Sequence, residues 1–589
     1  MTTRTIQKVL FYLFIFCSSA VRGEPDCSTP VSSSITISTE CEIPSSGLTI
    51  TNSGTLNAGS TYLINDGLSS GSFTNNGVVN LSSSYAILLD QGSFDLTNTG
   101  TINATANYVI ELSGATIGTF LNSGSINGSS IYGYTLMFSS GSIGTFTNSG
   151  SISYAFSSIL SESYDSASRS FVSNNFTIGT LNNAQGASSS ALKFSAEERT
   201  LPTNYNIIIN SASDFGKLDW ASPSGSTTFG IYSGSTVAAG RYTSVITGLS
   251  AGSFTGARSG TYGGYNWVLD NVSGSIWDLV FSSSAADTQS SLARLASNLR
   301  GSFNSASLIS NFSNTYDCNL FDVKGMCISA GGRYSTVDNP SSNNSAAVVT
   351  LGYKVSPNIR IGGFLDQSVN THSPTGIDIS NKHPMMGAFA YWNQNADGLG
   401  YQVKVANAYL DKDLSTIRDV IGTSEAGRGN TSLNSRSYVS ELSYAFMYKE
   451  NTLVRPYFAL RHTSIEQDTY TETGVTTPLT YSALNDRTTS ALMGVKFKHA
   501  LTPKANLIGS LGVEQDLNNK TDRLTASGVS GLTSENFSGN IDRTRPVASL
   551  GATYDIAKAQ RLSGEVLVQQ LPFQSTAGAT AYVNYMIGF

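Results

Sequence analysis

The chain has 589 residues, which is too long for one ordinary core, so length alone predicts at least two domains. Charged residues make up only 13% of it, while glycine, tyrosine and phenylalanine number 56, 28 and 27, a balance that favours short strands and turns over helices. The net charge of -6 and the lack of a basic cluster with interleaved aromatics argue against nucleic acid as a partner and leave an all-β protein as the first expectation.

The N-terminal segment has the layout of a secretory signal peptide, predicted over residues 1–23. Two basic residues precede the apolar run Val9–Cys17, and small residues follow it. About nine apolar residues are too few for a membrane-spanning helix, which needs about 20. We therefore expect export, with cleavage after Ala20 or after Gly23. No later stretch has the length of such a helix, so any further membrane contact must be made by strands.

Four cysteines remain after such a cleavage, and they lie in two close pairs. Because exported proteins fold in an oxidising compartment, the pairs predict two disulfides, Cys27–Cys41 and Cys318–Cys327. Metal binding is the alternative, but neither pair has zinc-ligand spacing and no histidine precedes His372. We therefore predict no metal site and no other cofactor.

A short phrase recurs between Leu48 and Gly150, anchored on an Asn-x-Gly corner. The corner asparagines are Asn52, Asn75, Asn98, Asn122 and Asn148. Their steps of 23, 23, 24 and 26 residues indicate a solenoid. Each copy predicts a strand, a turn and a strand, since asparagine and glycine tolerate the positive φ of tight corners.

Stacked copies can share a core that a single copy cannot form. We therefore predict a right-handed parallel β-helix over residues 24–203, with the corner asparagines stacked in a structural role rather than binding a ligand. Leucine-rich repeats have a similar period, but the leucine ladder that they need is missing. From about Ser153 to Arg199 the repeat degrades into what we interpret as one more irregular coil.

Residues 204–284 have longer alternating strands and contain Trp220, Trp267 and Trp277, whose large apolar area suits a cap on the solenoid. Residues 24–285 contain 16 acidic and 6 basic side chains, whereas the charges nearly cancel from 286 onward. This contrast places the predicted domain boundary near Ser284.

The best helical pattern of the chain falls in residues 285–315. One face carries Leu292, Leu295, Leu299 and Phe303, while Arg294 and Arg300 lie elsewhere. An amphipathic surface helix is one interpretation. The position directly before a series of strands favours a second one, a helix that lines a pore.

Residues 316–589 predict about twelve strands, an even count that allows a barrel to close without an unpaired edge. The strands are expected to start near Cys327, Ala346, Asn358, Pro384, Gly398, Ser437, Leu453, Ser490, Ala505, Pro546, Arg561 and Ala579. In one of them Tyr438, Leu442 and Tyr444 alternate with Glu441 and Ser443. Such a pattern predicts a membrane barrel with its apolar face in lipid, because a soluble barrel would bury those charges. Short turns alternate with long polar loops, predicted at 411–435 and 516–544.

The chain ends in AYVNYMIGF, where Val583, Tyr585, Ile587 and Phe589 alternate up to a terminal aromatic residue. Together with the helix before the strands, this ending resembles the autotransporter β-domain family over residues 285–589. The resemblance implies a monomeric barrel in contact with the lipid of the Gram-negative outer membrane, and a pertactin-like passenger at the cell surface. It further implies export through the Sec translocon, a final strand that the barrel-assembly machinery recognises, and a junction at 204–284 that helps the passenger to fold.

Autotransporters that cut themselves inside the barrel often use an Asn-Asn pair in the pore helix. In this sequence Asn298, Asn304 and Asn311 stand singly. We therefore expect the passenger to stay attached to its barrel.

The passenger lacks the residues of common hydrolases. All histidines lie in the barrel half, at His372, His383, His462 and His499, so no Ser-His-Asp triad can form in the passenger. Its close carboxylates, Asp90 with Asp95 and Glu197 with Glu198, fit solvated loops better than a glycosidase site. We predict no catalytic residues and a surface-binding role towards a glycan, a protein or another cell. The alternatives are a glycosidase-like passenger and a purely structural surface protein.

Overall fold

The computed structural model describes residues 30–589, with gaps at 38–40, 60–62, 66–69, 83–84, 90, 106–107, 129–134, 154–155, 158–161, 166–169, 174–175 and 196–198. The predicted signal peptide, Cys27, Asp90, Glu197 and Glu198 lie outside the described residues. The chain divides into two compact units, the first ending at Ser282 and the second beginning at Ser283. In the described part of the chain, no helix combines the length and apolarity needed to cross a bilayer.

The first unit is a solenoid of parallel sheets, as the repeat predicted. The strands of its first sheet are, in spatial order, Ser34–Ile37, Thr55–Ala58, Val78–Leu81, Thr101–Ala104, Ser125–Asn127 and Ser151–Ser153. The second sheet is formed by Cys41–Glu42, Leu63–Asn65, Tyr85–Leu89, Tyr108–Asn122, Leu136–Asn148, Phe176–Asn183, Asn204–Ile207 and Thr228–Ile231. A branch of this sheet consists of Leu48–Ile50, Gly71–Asn75 and Ser93–Asn98, paired in that order, and Ser93–Asn98 pairs with Tyr108–Asn122.

The core of the solenoid consists of side chains at equivalent positions of successive coils. In the first sheet one buried column is Leu56, Val79, Ile102, Ile126 and Ile152. In the second sheet an aromatic-rich column includes the stacked rings of Phe120 and Phe146, whose centroids lie 4.5 Å apart. The alternation within each strand therefore becomes a continuous core once the coils stack in register.

Four of the predicted corner asparagines form a buried ladder of side-chain amides. Asn75 donates to Asn98, Asn98 to Asn122, and Asn122 to Asn148, each at 2.8 Å. The ladder continues from Asn148 to Asn183 at 3.2 Å, across a longer step of 35 residues. The extra length includes a hairpin of Glu162–Asp165 and Ser170–Ser173, which explains the degraded repeat.

Asn52 does not belong to this ladder, contrary to the sequence prediction. Ile50 occupies the position in register with Asn75, and Asn52 lies exposed on a turn. The corner between Ile50 and Thr55 is two residues longer than the one between Asn75 and Val78. The Asn-x-Gly motif is therefore present at this corner, but its asparagine lies outside the core.

We expect Asn98→Ala to destabilise the solenoid by about 1–3 kcal/mol, because it leaves a buried acceptor on Asn122 without its partner. Asn103→Ala is the matched control. Asn103 belongs to a parallel amide ladder with Asn80 and Asn127, at 3.0 and 2.9 Å, but it is only half-buried, so water can replace the lost bond. Limited proteolysis of the displayed passenger during heating measures the difference. Equal losses of stability in the two variants would contradict the stabilising role of the buried asparagine ladder.

The parallel coils continue beyond residue 203, where the sequence analysis had placed the start of the cap. Asn204–Ile207 and Thr228–Ile231 still pair in parallel. A third sheet follows, and its pairing changes from parallel to antiparallel after Gly240–Thr247. Its strands are, in order, Phe156–Ser157, Leu192–Ser195, Leu218–Trp220, Gly240–Thr247, Ile276–Ser282, Tyr265–Ser273 and Ser259–Tyr262. Arg199–Thr200 and Pro223–Ser224 form a separate two-stranded parallel sheet.

Two of the three predicted tryptophans of the cap are buried in the core of this region. Trp220 stacks on Phe194 with the ring centroids 4.0 Å apart. Trp277 donates its indole N–H to the carbonyl of Leu249 at 2.7 Å. Trp267 packs against the same core but is partly exposed.

The second unit contains one long helix, α1 (Ala285–Ser313), and then a closed antiparallel barrel. Over 316–589, where every residue is described, the barrel has twelve strands. They are β1 (Met326–Val337), β2 (Ser342–Ser356), β3 (Ile359–His372), β4 (Met385–Asn393), β5 (Gly400–Ile417), β6 (Arg428–Lys449), β7 (Thr452–Gln467), β8 (Leu484–Ala500), β9 (Ala505–Lys520), β10 (Thr544–Ala557), β11 (Gln560–Gln570) and β12 (Ala577–Gly588). The short strand Ile377–Ile379 pairs with β5, and Tyr470–Thr471, Thr480–Tyr481 and Ala526–Ser527 form a separate three-stranded sheet. The twelve-stranded barrel with a preceding helix confirms the predicted fold class.

The predicted loop at 411–435 is mostly strand, because β5 and β6 remain paired as far as Ile417 and Arg428. Leu414 and Leu433 are buried in this extension and belong to the same hydrophobic cluster as the apolar face of α1. Packing on the helix therefore prolongs strands whose polar sequence suggested a loop. The second predicted loop is shorter than expected, spanning 521–543 between β9 and β10.

Candidate translocation pore

Helix α1 lies inside the barrel. Its start is defined by Ser284, whose hydroxyl accepts from the backbone N–H of Asp287 at 3.1 Å as an N-cap. Further along, Phe303 meets Phe537 edge-on with centroids 5.9 Å apart, and Phe312 packs on Tyr582 of β12. Most of the helix is shielded from solvent, which is the arrangement expected of a pore helix.

The predicted apolar face of the helix is buried, but burial is not limited to that face. Leu292, Leu295, Leu299 and Phe303 are all buried, and the guanidinium of Arg300 is fully buried as well. Because barrel wall and folded loops surround the C-terminal half of the helix, no side of it is left for solvent. A helical period alone cannot reveal such an enclosure.

Arg300 binds several groups of the barrel and its loops. It donates to Asp486 at 2.7 Å, to the Ser538 hydroxyl at 2.7 Å and to the carbonyl of Phe537 at 3.3 Å. Its guanidinium also lies 4.0 Å from the ring centre of Phe537. The residue thereby joins the helix to β8 and to the loop before β10.

We expect Arg300→Ala to loosen the helix in the lumen, because Asp486 would remain buried without a counter-charge. The matched control is Arg294→Ala, on the same helix. Arg294 has a 62% exposed side chain and lies 3.5 Å from Asp419, so its removal costs little. A loosened helix would open the lumen of the barrel to large molecules. The measurement is the sensitivity of cells to a large antibiotic that the outer membrane normally excludes. Identical sensitivity of both variants and the unmodified chain would refute the anchoring role.

The first turns of α1 are attached to the loops at the end of the barrel where the long loops lie. Asp287 accepts from the backbone N–H and hydroxyl of Thr423, at 2.8 and 2.7 Å. Ser291 donates to the carbonyl of Asp419, and Gln289 donates to the carbonyl of Thr533 at 3.1 Å. Loops from separate hairpins therefore fold over the beginning of the helix.

A buried ion pair organises these loops. Arg418 donates to both carboxylate oxygens of Glu472, at 2.8 and 3.0 Å, and Tyr481 donates to the same carboxylate at 2.8 Å. Burial opposes the charge on Arg418, but the hydrogen bonds and charge of Glu472 outweigh it and raise the pKa of the guanidinium. Burial likewise raises the pKa of the Tyr481 phenol, which stacks on Tyr470 with ring centroids 4.5 Å apart.

The single asparagines of the helix have neutral hydrogen-bond partners. Asn298 donates to the carbonyl of Thr375 at 2.9 Å, and Asn304 donates to Gln574 at 2.7 Å. Asn311 accepts from the Thr463 hydroxyl at 2.8 Å. These bonds fix the helix to several parts of the barrel wall.

Beyond the helix, a charged network occupies the middle of the barrel. Asp366 accepts from Arg333 at 2.7 and 2.9 Å and from the Tyr316 hydroxyl at 2.7 Å. The same segment contains a disulfide, in which Cys318 is bonded to Cys327 on β1 across a separation of nine residues. The chain leaving the helix is thus fastened to the first strand.

The C-terminal residues complete the barrel. Strand β12 pairs with β1 over eleven register positions, from Gly578 to Gly588. The terminal residue extends the seam, since the Phe589 N–H donates to the Met326 carbonyl at 2.8 Å and its carbonyl accepts from Lys324 at 3.1 Å. Val583 and Phe589 are exposed on the outer face, and Tyr585 and Ile587 are half-buried.

The outer surface of the barrel is apolar, whereas the inner one is polar and charged. Tyr438, Leu442 and Tyr444 are about half exposed, at 50%, 50% and 45%, while Glu441 and Ser443 face inward at 8% and 3%. Lys449 shares the sequence alternation of Glu441 and Ser443, which predicts an inward side chain, but it lies exposed at the end of β6. An apolar exterior around a wet interior is the polarity of a membrane barrel.

Two of the four histidines are hydrogen-bonded to threonines of the barrel. His462 and His499 each share a hydrogen bond with a threonine, at 2.9 Å to Thr489 and 2.8 Å to Thr452. Among the residues with described coordinates, no group of three or more metal-ligating side chains comes together.

Comparison with known proteins gives this unit a family. A 128-residue stretch is 34% identical to the Neisserial autotransporter lipoprotein NalP of Neisseria meningitidis serogroup B, over 21% of this chain and 11% of that protein. One similar solved structure is the translocator domain of NalP from Neisseria meningitidis, which is 18% identical, with 52% of this chain and 100% of that chain covered and a TM-score of 0.36. Another is the transport unit of AIDA-I from Escherichia coli, which is 14% identical, with 49% of this chain and 98% of that chain covered and a TM-score of 0.32.

Residues 326–566 match the family model described as the autotransporter beta-domain. The match covers nearly the whole set of barrel strands, from the start of β1 into β11. The C-terminal barrel of this chain is therefore an outer-membrane autotransporter β-domain, and a solenoid precedes it in the sequence.

Proposed function

We propose that this autotransporter displays a passenger that binds other surfaces and performs no catalysis. The whole of residues 24–284 is the passenger in this proposal, with 204–284 as the junction where its folding starts. Signal peptide 1–23 directs export through the Sec translocon, and the barrel-assembly machinery inserts the monomeric barrel into outer-membrane lipid.

The observation that carries the display role is the chain's own helix inside its barrel. Ser284, directly before α1, donates its N–H to Thr423 in a long loop at 2.9 Å. In outer-membrane barrels the long loops face the exterior and the short turns face the periplasm. A chain fixed at this point has its N-terminal side outside, which supports passage of the passenger through the lumen.

Folding of the passenger supplies a direction for this passage. Each coil offers a parallel edge on which the next coil forms, so coils that fold outside prevent the chain from sliding back. The large aromatic core near Trp220 and Trp277 makes the junction the part best able to fold first.

A binding role for the passenger rests on the surface of the solenoid. Outward positions of the first sheet carry hydroxyls and amides, as in the ladder of Asn57, Asn80, Asn103 and Asn127. Such groups suit the hydroxyls of a glycan or the polar surface of a protein. We further propose that the passenger stays attached, since the helix asparagines stand singly and are each hydrogen-bonded to the barrel.

The test compares cells that carry the full chain with cells that lack residues 24–284. Added protease should remove the passenger from intact cells, and the full chain should increase either cell aggregation or retention on a glycan and protein array. A passenger that is inaccessible on intact cells would overturn the display role. Reproducible hydrolase turnover by the displayed passenger would replace the binding role with the glycosidase-like alternative, and an inert passenger would leave a structural role.

A further inference from the structure

A group of charged side chains lines the lumen near the short turns of the barrel. We call it the lower-lumen cluster, and its members are Asp317, Arg360, Lys404, Glu441, Arg455 and Lys496. Neighbouring strands bring them together, since Lys404 lies opposite Glu441 and Arg455 lies opposite Lys496 in the strand register. The cluster contains four cations and two carboxylates.

Two of the cations use both carboxylates. Lys496 lies 2.6 and 2.7 Å from the carboxylate oxygens of Glu441, and Arg360 lies 2.9 Å from Asp317. In the described part of the chain, no carboxylate lies within ion-pairing distance of Lys404 or Arg455. The cluster therefore holds an excess of two positive charges.

Neutral groups bind these two cations directly, while the nearby Glu441 is already paired with Lys496. The Lys404 ammonium lies 5.2 Å from the ring centre of Tyr391. Arg455 donates to the side-chain carbonyl of Gln402 at 2.5 Å and to the backbone carbonyl of Gly398 at 3.1 Å. Lys404 is thus oriented by a π face and Arg455 by two carbonyl dipoles, and neither contact supplies a negative charge.

The middle and upper parts of the barrel differ, because their buried arginines each face a carboxylate. These pairs are Arg300–Asp486 at 2.7 Å, Arg333–Asp366 at 2.7 Å, Arg418–Glu472 at 2.8 Å and Arg545–Asp516 at 2.5 Å. Lys412, a buried lysine nearer the long loops, also has a neutral partner, the carbonyl of His383. The two cations of the lower-lumen cluster are the pair that lies together at the end where a chain would enter from the periplasm. Water reaches this end at Lys496, whose side chain is 40% exposed, and Lys404 lies deeper in the lumen at 6% exposure.

The passenger has the opposite charge. Residues 24–168 contain ten acidic side chains and no basic one, and Arg169 is the first basic residue after the predicted signal peptide. An unfolded segment of this kind presents carboxylates and no cations to the wall of a lumen. Positive charge within low-dielectric walls concentrates such a segment at the entrance.

We propose that the lower-lumen cluster is a binding site for the extended, acidic passenger while it passes through the barrel, with Lys404 and Arg455 as the residues that contact its carboxylates. The inference rests on the proposed function, since it requires the passenger to pass through the lumen. It adds the residues that engage the passenger and the chemical feature that they recognise.

The experiment follows the full chain in cells by pulse labelling and measures how fast the passenger becomes accessible to added protease. The barrel variants are Lys404→Gln with Arg455→Gln, and Lys520→Glu as the control. Lys520 has a 68% exposed side chain at the other end of the barrel. A heat-modifiable band on gels shows that each barrel is folded. In a second passenger, all ten carboxylates of 24–168 are replaced by the corresponding amides.

We expect the double variant to slow exposure of the acidic passenger by about three- to tenfold, and Lys520→Glu to leave it unchanged. The amide passenger should be slow in the unmodified barrel and should not be slowed further by the double variant, because the two changes remove the same interaction. Unchanged rates in the double variant, or equal slowing of both passengers, would overturn the inference alone. A passenger that never reaches the surface in the unmodified chain would overturn the proposed function and this inference with it.

Discussion

Deleting residues 583–589 is expected to abolish the folded barrel. The deletion removes six of the eleven register positions between β12 and β1, together with the terminal backbone bonds of Phe589. The exposed strand edge would lie in lipid, where each unpaired backbone group costs several kcal/mol. The readouts are the heat-modifiable band of the full chain and its recovery in the outer-membrane fraction. A folded, membrane-inserted product would contradict the role of this seam in closure.

The substitution Phe589→Ala distinguishes the role of the C-terminus in closing the barrel from its proposed recognition by the barrel-assembly machinery. The substitution keeps every backbone bond of the seam and removes a ring that is 43% exposed. We therefore expect the purified chain to refold in detergent, while assembly in cells falls if the machinery recognises the terminal ring. Normal assembly in cells would remove the proposed recognition role and leave the closure argument intact.

Asp366→Ala is expected to destabilise the barrel by about 3–5 kcal/mol, because it leaves the buried guanidinium of Arg333 without its carboxylate. Asp555→Ala is the matched control. Asp555 pairs with Arg561 at 2.6 Å, but both side chains are partly exposed, so the expected loss is about 1 kcal/mol or less. Urea unfolding of the full chain in detergent, followed by the heat-modifiable band, measures both.

An apolar replacement tests the physical reason for the loss. Changing Arg333→Met and Asp366→Leu together removes both buried charges, so we expect the double variant to be more stable than Asp366→Ala alone. A double variant that is as unstable as the single one would show that packing or the hydrogen bond from Tyr316 dominates this site instead of the unpaired charge.

Periodic patterns predicted the fold because they depend on local geometry. Alternation with a period of two located the strands of the barrel and the faces of β6, where Glu441 faces inward and Tyr438 outward. The recurring Asn-x-Gly predicted the coils, since a stacked core requires a repeated length. The apolar face of α1 could also be predicted from the sequence, because the period of a helix is a local property of the chain.

Features that depend on partners distant in the sequence were predicted poorly. Asn52 and Asn75 lie in the same Asn-x-Gly motif, but the corner at Asn52 is two residues longer, which places Asn52 outside the asparagine ladder. The sequence placed Arg300 off the apolar face of α1 but did not reveal the partners that enclose it, Asp486 and Phe537. The lower-lumen cluster was not recognised at all, because its members are contributed by several strands and by the segment after the helix.

The sequence by itself determined the class of architecture, the position of the helix, the strand faces and the unequal charge of the two halves, since each follows from spacing or composition within a short window. The tertiary structure decided which charges are paired, which asparagines stack and how far the strands extend beyond the membrane. These depend on register between segments up to hundreds of residues apart, such as Arg300 and Ser538. The closed barrel fixes that register, because a shift by one residue would turn its charged face towards lipid.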